Sequence, residues 1–357
     1  MHEANARSQL WKSQALLSLC HLRQTVSIVN MRVCTYYDVG YESRAHEMLA
    51  SARLGKQVSV AALLLDELTE LEPAQQGSRR ALSSYLRENP SLTKSISKRS
   101  RVEQIFSIGP SFVLGEAASM APDEWLVYLD ADLYFFRPLE SYLENFDHAN
   151  VIIAPHRHFA WNRKRLSKFG KFNVGLVAFR NNKDGLAALN YWADSCVDWC
   201  SDIPEDGKYA DQRYLENFSK VASGVVEDDR KGVNVAPWNL GLSNLSLDEH
   251  GSLEVDGEPL YYFHASGIRR IKHAWVLSHL PYFSIATRSA KKFIYRPYLA
   301  SLLKREEDKP ATQSSSSRSS RSPAGLSMLN FVGALNFLLG QVVFDSQLGM
   351  KSTDTNK

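Results

Sequence analysis

The sequence predicts an α/β protein with a mostly parallel sheet flanked by helices. Strand-like and helix-like segments alternate over the first 130 residues, a pattern typical of parallel strands joined by helical crossovers. Residues 125–129 form an unbroken apolar run, as expected for a strand that is buried on both faces. With 44% hydrophobic and 23% charged residues among 357, the composition is globular and excludes collagen, coiled coils and small disulfide scaffolds.

The elements of the first half follow from their residue types. β-Branched residues indicate strands at 26–35 and 58–65, and mixed polar and apolar spacing indicates helices at 42–54 and 79–87. A short apolar run predicts a strand at 104–108. Because proline suits the first turn of a helix, Pro110 predicts a helix over 110–120. The apolar strand 125–129 closes this half.

The second half is less regular. Short apolar runs predict strands at 151–154, 175–179 and 260–264, and longer amphipathic spacing predicts helices at 187–200 and 211–218. We therefore expect one α/β domain over residues 31–300, with an elaborated second half, preceded by a polar extension over 1–30.

Residues 301–325 are predicted to be a linker, because a charged stretch leads into a Ser/Arg tract that cannot form a core. Residues 326–344 carry no charge before Asp345, and their apolar residues recur at helical spacing. Three placements stay open for this predicted amphipathic helix: on a membrane surface, across a membrane, or docked on the chain itself. We find no convincing secretory signal at the start.

Charge and cysteine content give weaker predictions. The formal net charge of +3 is too small to indicate nucleic-acid binding. Of the four cysteines, Cys196 and Cys200 stand four apart and share a helix face, and they are expected to be reduced thiols. This favours a reducing, cytoplasmic location, with contact to the inner face of the membrane as the alternative that the tail suggests.

The clearest chemical feature is the pair Asp130 and Asp132 after the apolar strand. Residues two apart lie on one side of an extended chain, so the two carboxylates are expected to be close. The carboxyl ends of parallel strands face the ligand crevice of an open sheet. Two carboxylates held there repel each other unless a cation lies between them, and Mg²⁺ or Mn²⁺ prefers such oxygen ligands. Solvated aspartates at a strand end are the plain alternative.

Several short motifs occur in a fixed order around this pair. They are Cys34 to Tyr41, Asp130-Ala-Asp132, Phe172-Asn-Val-Gly175, Asp211-Gln212 and His264-Ala-Ser-Gly267. In this order they resemble the GT-A-fold glycosyltransferases, a Rossmann-like group that includes the glycogenin-like and lipopolysaccharide galactosyltransferase enzymes. The resemblance covers roughly residues 31–285.

The resemblance implies a role for each motif. Asp130, Asp132 and His264 are the implied ligands of Mn²⁺ or Mg²⁺, and Asp211 with Gln212 is the implied catalytic pair beside the transferred sugar. The implied donor-binding residues are Thr35, Tyr36, Asp38, Tyr41, Asn173, Gly175, Gly267 and Arg270.

Two positions depart from the pattern of the resembling enzymes. Where they often carry Lys-Pro-Trp, with the lysine on the diphosphate, this chain has Gly267-Ile-Arg-Arg-Ile-Lys272, so Arg270 or Lys272 is expected to replace that lysine. Where relatives carry a donor-binding lysine before the helix at Pro110, this chain has Ile108-Gly109.

The implied function is metal-dependent transfer of a hexose, with retention, from a nucleotide sugar such as a uridine diphosphate sugar to a glycan or lipid-linked acceptor. The stretch 156–171 is strongly basic, and two interpretations stay open for it. It is either a mobile lid that contacts the diphosphate or an anionic acceptor, or it is a solvated loop. Trp238 is either a sugar-stacking residue or part of the core.

Two other functions stay open: a haloacid-dehalogenase-like phosphatase with Asp130 as nucleophile, and a non-catalytic sugar-binding protein.

Overall fold

The computed structural model of the chain describes residues 30–56, 58–66, 77–307 and 335–348. The strands are β1 (Met31–Tyr37), β2 (Ser59–Leu64), β3 (Gly77–Ala81), β4 (Trp125–Leu129), β5 (Leu133–Phe135), β6 (Val151–Pro155), β7 (Phe172–Arg180), β8 (Val225–Glu227), β9 (Leu245–Leu247), β10 (Leu253–Val255), β11 (Glu258–Pro259), β12 (Tyr262–His264), β13 (Arg269–Ile271), β14 (Ala274–Val276) and β15 (Val342–Phe344). The α-helices are α1 (Glu42–Ser51), α2 (Leu82–Glu88), α3 (Pro90–Ile96), α4 (Arg101–Ala117), α5 (Leu139–Leu143), α6 (Arg163–Phe169), α7 (Lys183–Asp198), α8 (Phe218–Val221), α9 (Arg288–Ala290) and α10 (Arg296–Glu307).

A seven-stranded sheet in the order β3-β2-β1-β4-β7-β6-β8 forms the centre of the structure. Strand β7 runs antiparallel to its neighbours β4 and β6, and the other neighbouring pairs of the sheet are parallel. This confirms the predicted α/β class with a mostly parallel sheet.

The order of the first four strands determines where a ligand can bind. From β1 the chain adds β2 and β3 on one side, and it then returns to place β4 on the other side of β1. At such a switch point the connections after the two central strands diverge and leave a crevice at their carboxyl ends. The segments after β1 and β4, which begin at Asp38 and Asp130, therefore meet at this crevice.

Helices cover both faces of the sheet. In β1, Cys34 packs in a cluster with Phe112 of α4 and Trp192 of α7. The preceding residue of the strand, Val33, packs in a second cluster that includes Met48 of α1. Because successive side chains of a strand point to opposite faces, these two clusters are the cores above and below the sheet.

The predicted strand at 104–108 was wrong, whereas the helix predicted over 110–120 is present but begins earlier and ends at Ala117. Helix α4 begins at Arg101, where Ser100 and Glu103 form a capping box, and it continues through Pro110 to Ala117. The predicted strand 104–108 is therefore helical: Ile108 is on the buried face of α4, while Ile105 and Phe106 are only partly buried. A short apolar run of this kind does not distinguish a buried strand from a buried helix.

The predicted linker and tail also need correction. Helix α10 continues to Glu307, seven residues past the predicted domain end, because Leu302 and Leu303 are buried. Residues 342–344, predicted as the end of a helix, form β15, which pairs with β14 and buries Val343. The predicted extension 1–30, except its last residue, the linker from 308 onward and residues 326–334 lie outside the described residues.

The described part of the tail is docked on the chain itself. The Gln341 side chain accepts a hydrogen bond from the Ala286 backbone N–H at 2.6 Å, and Gln341 is 1% exposed. Phe337 and Leu338 stay largely exposed beside it. Within the described ranges, no helix is both long enough and apolar enough to cross a bilayer.

Candidate active site

Two carboxylates lie at the switch point of the sheet. Asp130 follows β4 directly, and its backbone N–H donates to the Gly175 carbonyl of the neighbouring strand β7 at 2.8 Å. Asp132 stands two residues on, just before β5. The hydroxyl of Tyr128 donates to Oδ1 of Asp130 at 2.6 Å and fixes that carboxylate. Strand pairing therefore holds both acids at the mouth of the crevice.

A late segment of the chain brings His264 to these acids. Strand β12 pairs with β5, which sets His264 opposite Leu133, and the Ala265 N–H donates to the Asp132 carbonyl at 2.9 Å. Nε2 of His264 lies 3.1 Å from Oδ1 of Asp132 and 3.6 Å from Oδ2 of Asp130. One ligand atom from each residue falls within 4.8 Å of the other two. The structure thus brings the three predicted metal ligands together.

The imidazole of His264 is held in one orientation. Its Nδ1 lies 2.9 Å from Oδ1 of Asn173, an oxygen that also accepts the Gly175 N–H at 3.1 Å. Because an amide oxygen only accepts, Nδ1 carries the proton, and Nε2 faces the two acids. A metal-binding histidine is commonly oriented in this way by a partner on its second nitrogen.

Gly175 contributes through its lack of a side chain. A Cβ at this position would lie 2.7 Å from Nδ1 of His264 and 2.8 Å from Oδ1 of Asn173. Gly175 is not itself on the wall of the cavity, and its predicted contact with the donor stays a prediction. Its role is to leave room for the hydrogen bond between His264 and Asn173.

Burial and mutual charge set the protonation of the three residues. Burial raises the pKa of Asp130, and the neighbouring charge of Asp132 adds to this. For Asp132, burial is outweighed by the charge and hydrogen bond of His264, and the pKa is lowered. Burial also opposes a charge on His264, but Asp132 and Asp130 together outweigh it and raise the pKa of the imidazole. The two acids therefore favour a positive charge beside them.

The cluster opens on a cavity of about 570 Å³, a volume in the usual range for a small-molecule site. We divide its wall into two sides. The β1 side is formed by Tyr36, Tyr37, Asp38 and Tyr41 with Val102, Ile105 and Phe106 of α4. The α6 side is formed by His156, His158, Arg165, Phe169, Tyr209, Trp238 and Tyr282.

On the β1 side, three of the four predicted residues line the cavity: Tyr36, Asp38 and Tyr41. Tyr36 fits because Gly109 of α4 has no side chain; a Cβ there would lie 2.6 Å from the tyrosine ring. Thr35 points elsewhere: it is fully buried within β1 and is not on the wall, so its prediction as a donor-binding residue is corrected.

A positively charged side chain, Arg44, lies next to the β1 side without being part of the cavity wall. The guanidinium of Arg44 in α1 stacks on Tyr41 at 5.0 Å, and its NH2 donates to the Ile268 carbonyl at 2.6 Å. Its NH1 is buried and has no hydrogen-bond partner among the described residues. The charge of Arg44 contributes to lowering the pKa of Asp132. No sequence motif pointed to Arg44.

The structure does not bring Arg270 and Gly267, two predicted donor-binding residues, to the cavity wall. Arg270 on β13 is paired with Glu306 and, at 2.7 Å, with Asp345, and it stacks on Trp275. Glu306 belongs to α10 and Asp345 to the docked tail, and both lie after the residues that the family resemblance covers. Gly267 has a φ of +73°, and a Cβ there would lie 2.5 Å from Oγ of Ser278. Gly267 therefore allows the tight turn of the chain after β12.

Gln212 lines the cavity, whereas its neighbour Asp211 is buried and is not on the cavity wall. Burial, reinforced by the charge of Asp130, raises the pKa of Asp211 to about 7. The Asp211 side chain makes no cap hydrogen bond to the 3₁₀ turn that follows it. Nε2 of Gln212 donates to the Phe169 carbonyl at 2.6 Å.

The α6 side is a stack of rings around one arginine. His156 and His158 are stacked at 4.8 Å, and Trp238 meets His156 edge-on at 5.3 Å. Trp238 also packs edge-on against His264 at 5.2 Å, which joins this side to the acid cluster. Tyr282 had no signal in the sequence, because it comes from a turn far along the chain.

No protein-family model matches the chain. It is 28% identical over 223 residues to YfnD and 26% identical over 225 residues to YfnF, two uncharacterised proteins of Bacillus subtilis strain 168. Each match spans 60% of this chain, and 69% and 72% of those proteins.

The solved structures to which the chain is similar include glycosyltransferases. The galactosyltransferase LgtC, solved with donor and acceptor sugar analogues, aligns over 77% of this chain and 96% of its own, at 12% identity and a TM-score of 0.43. An alignment this loose assigns no residue role, so the roles proposed below rest on the geometry of this chain.

Proposed function

We propose that this protein is a metal-dependent glycosyltransferase that transfers a hexose from a nucleotide sugar, first of all a uridine diphosphate sugar, to a glycan or lipid-linked acceptor. One observation carries the proposal. Asp130, Asp132 and His264 converge at the switch point of a doubly wound sheet, on the wall of a cavity large enough for a nucleotide sugar.

The three residues fit a hard divalent ion such as Mn²⁺ or Mg²⁺. They offer two carboxylate oxygens and one imidazole nitrogen, and the hydrogen bond to Asn173 leaves that nitrogen facing the acids. When bound, such an ion supplies positive charge that stabilises the departing nucleoside diphosphate. The identity of the ion and retention at the anomeric carbon are parts of this proposal.

The β1 side would hold the nucleotide. Tyr36 and Tyr41 offer ring faces, Asp38 offers a carboxylate for hydroxyl groups, and the apolar residues of α4 offer a surface for the base. Arg44 supplies positive charge behind Tyr41, near Asp132. The family resemblance implied that Arg270 supplies positive charge to the diphosphate. We infer that Arg44 supplies this charge instead.

The catalytic pair would act on the transferred sugar. With a pKa raised to about 7, the buried carboxyl of Asp211 can hold or release a proton near neutral pH. The amide nitrogen of Gln212 is committed to the Phe169 carbonyl, so its oxygen is the atom left to accept a sugar hydroxyl.

A thermal-shift screen of the full chain tests the proposal. We expect a uridine diphosphate sugar and Mn²⁺ together to raise the melting temperature more than the sum of their separate effects, because each binds only the folded state and they meet at one site. Hydrolysis of p-nitrophenyl phosphate is measured in parallel. Phosphate release without stabilisation by any nucleotide sugar would favour the phosphatase alternative and overturn the proposal.

A further inference from the structure

Arg165 has a distinctive position in the cavity. Among the described residues that line it, the acids are Asp38, Asp130 and Asp132, and the one side chain with a permanent positive charge is Arg165. It lies on the α6 side, away from the carboxylates: within the described chain, no Asp or Glu oxygen is within 4.0 Å of its guanidinium. Such a guanidinium in a cavity is a binding group for an anion.

The guanidinium is held in place by neutral groups. It stacks on the ring of Tyr282 at 4.7 Å, and its NH2 donates to the Pro281 carbonyl at 2.7 Å. Asn162, just before α6, donates to the next carbonyl, that of Tyr282, at 2.6 Å. Helix α6 and the turn 280–282 are thus tied together, so Arg165 is oriented before any ligand arrives.

The neighbouring imidazoles do not compete for an anion as cations. Burial lowers the pKa of His156 to about 3, and burial together with the charge of Arg165 lowers the pKa of His158 to about 4. Both rings are therefore neutral at pH 7 and offer stacking surfaces and hydrogen bonds. Nε1 of Trp238 and Nδ1 of His158 are buried without a partner among the described residues, as polar atoms are where a ligand or water completes a site.

The surrounding charge has the same sign. Residues 163–171 contain five Lys and Arg residues and no Asp or Glu. Lys164 and Lys168 of α6 are exposed at this rim, while Lys171 is paired with Glu227. This excess of positive charge would attract an approaching anion to the α6 side of the cavity.

We propose that the α6 side binds an acidic acceptor, a sugar that carries a phosphate or carboxylate group, with the anion on Arg165 and the apolar sugar face against Tyr282 and Trp238. This inference rests on the proposed function, because it assigns the β1 side and the metal cluster to the donor. It narrows the acceptor from any glycan to one with a negative charge near the reacting hydroxyl.

Binding of three small probes to the full chain tests the inference. Methyl glucoside, glucose 6-phosphate and glucuronate are titrated by calorimetry, with and without Mn²⁺ and uridine diphosphate. We expect one anionic probe to bind roughly 10- to 100-fold more tightly than the neutral one, as a charge-assisted pair allows. Which acid binds better distinguishes a phosphorylated from a carboxylated acceptor.

Three variants make the test specific. Arg165→Gln should remove the preference for the anionic probe, Arg165→Lys should keep part of it, and Ser167→Ala, an exposed change on the same helix that alters no charge, should leave it intact. Affinity for the neutral probe and for uridine diphosphate should not change in any of them, which also shows that the wall is still formed.

Two results would overturn the inference. One is equal or absent binding of the anionic and neutral probes at millimolar concentrations. The other is a loss of uridine diphosphate affinity in Arg165→Gln, which would assign Arg165 to the donor. Failure of the wild-type chain to bind uridine diphosphate with Mn²⁺ is a separate result. That result would count against the proposed function, and the affinities of the anionic and neutral probes could still be compared.

Discussion

The two sides of the cavity are built in opposite ways. The β1 side comes from contiguous motifs, with Asp38 and Tyr41 directly after a central strand, and its wall is acidic. The α6 side combines five distant segments, around residues 156–158, 165–169, 209, 238 and 282, and its one permanent charge is positive. The acid cluster with His264 lies between them and touches the α6 side through Trp238.

This difference suggests a division of labour. A side that is determined by the ends of central strands has little freedom to vary, because moving it would move the sheet. A side made from loops and a short helix can change its residues without disturbing the core. We therefore expect the β1 side and the cluster to serve the donor and the α6 side to select the acceptor, and the following variants test that separation.

The largest effect is expected at the cluster itself. Asp132→Asn removes one of the two acids that would hold the ion, and we expect transfer from the nucleotide sugar to fall by about 10²–10³-fold. The rate is measured as release of nucleoside diphosphate, with Asp147→Asn, an exposed aspartate, as control. Transfer at the wild-type rate, or wild-type transfer that persists in excess chelator, would contradict the role of the cluster.

A smaller loss is expected from Gly175→Ala, which leaves all the ligands present. The new Cβ would lie 2.7 Å from Nδ1 of His264 and would force the imidazole away from Asn173. Disturbing such a second-sphere contact typically lowers metal affinity 10- to 100-fold. Gly115→Ala in α4 is the matched control, because a Cβ there meets nothing within 4 Å. Metal titration followed by thermal shift should separate the two variants, and equal Mn²⁺ affinity in them would refute the packing argument.

The pH dependence of stability should reveal Asp211. Its pKa is raised to about 7 in the folded chain, above its ordinary value near 4, so the folded state binds the proton more tightly than the unfolded state. The resulting destabilisation is absent below about pH 4 and grows as the pH rises to about 7. Asp211→Asn should remove it and be more stable than the wild type at pH 8, by about 4 kcal/mol at most.

Urea unfolding at pH 8 and at pH 4, both with chelator, measures this difference. Asp194→Asn makes the same chemical change at an exposed position of α7 and should show no such gain. An Asp211→Asn chain that is equally destabilised at both pH values would mean that the carboxylate is stabilised by contacts that the amide cannot replace, and the raised pKa would be wrong.

The sequence predicted the sheet and the acid cluster well because both depend on local pattern. An apolar run that ends in Asp-Ala-Asp predicts a buried strand and a pair of carboxylates without any knowledge of distant contacts. His264 was found because its motif is short and contiguous. These are the parts of the site in which neighbouring residues in the sequence are also neighbours in space.

The residues that were missed or misplaced depend on long-range packing. Arg270 looked like a diphosphate ligand by its place after the His264 motif, but acids from α10 and the tail pair with it. Arg44 carries no motif and becomes relevant only because α1 packs beside the turn at Ile268. Thr35 has a suitable hydroxyl, yet the alternation of β1 turns it into the core. No local pattern records these contacts.

The smallest expected effect distinguishes the two arginines. Arg44→Gln should weaken uridine diphosphate binding about fivefold, since a single charge at the margin of a partly exposed site contributes about 1 kcal/mol. It should leave the affinity for an anionic acceptor probe unchanged. Arg165→Gln should do the reverse, and both affinities are measured by calorimetry in the same buffer at two salt concentrations. If both variants lost both affinities, the two sides would form one binding site for one ligand, and the separation between donor and acceptor sides would have to be abandoned.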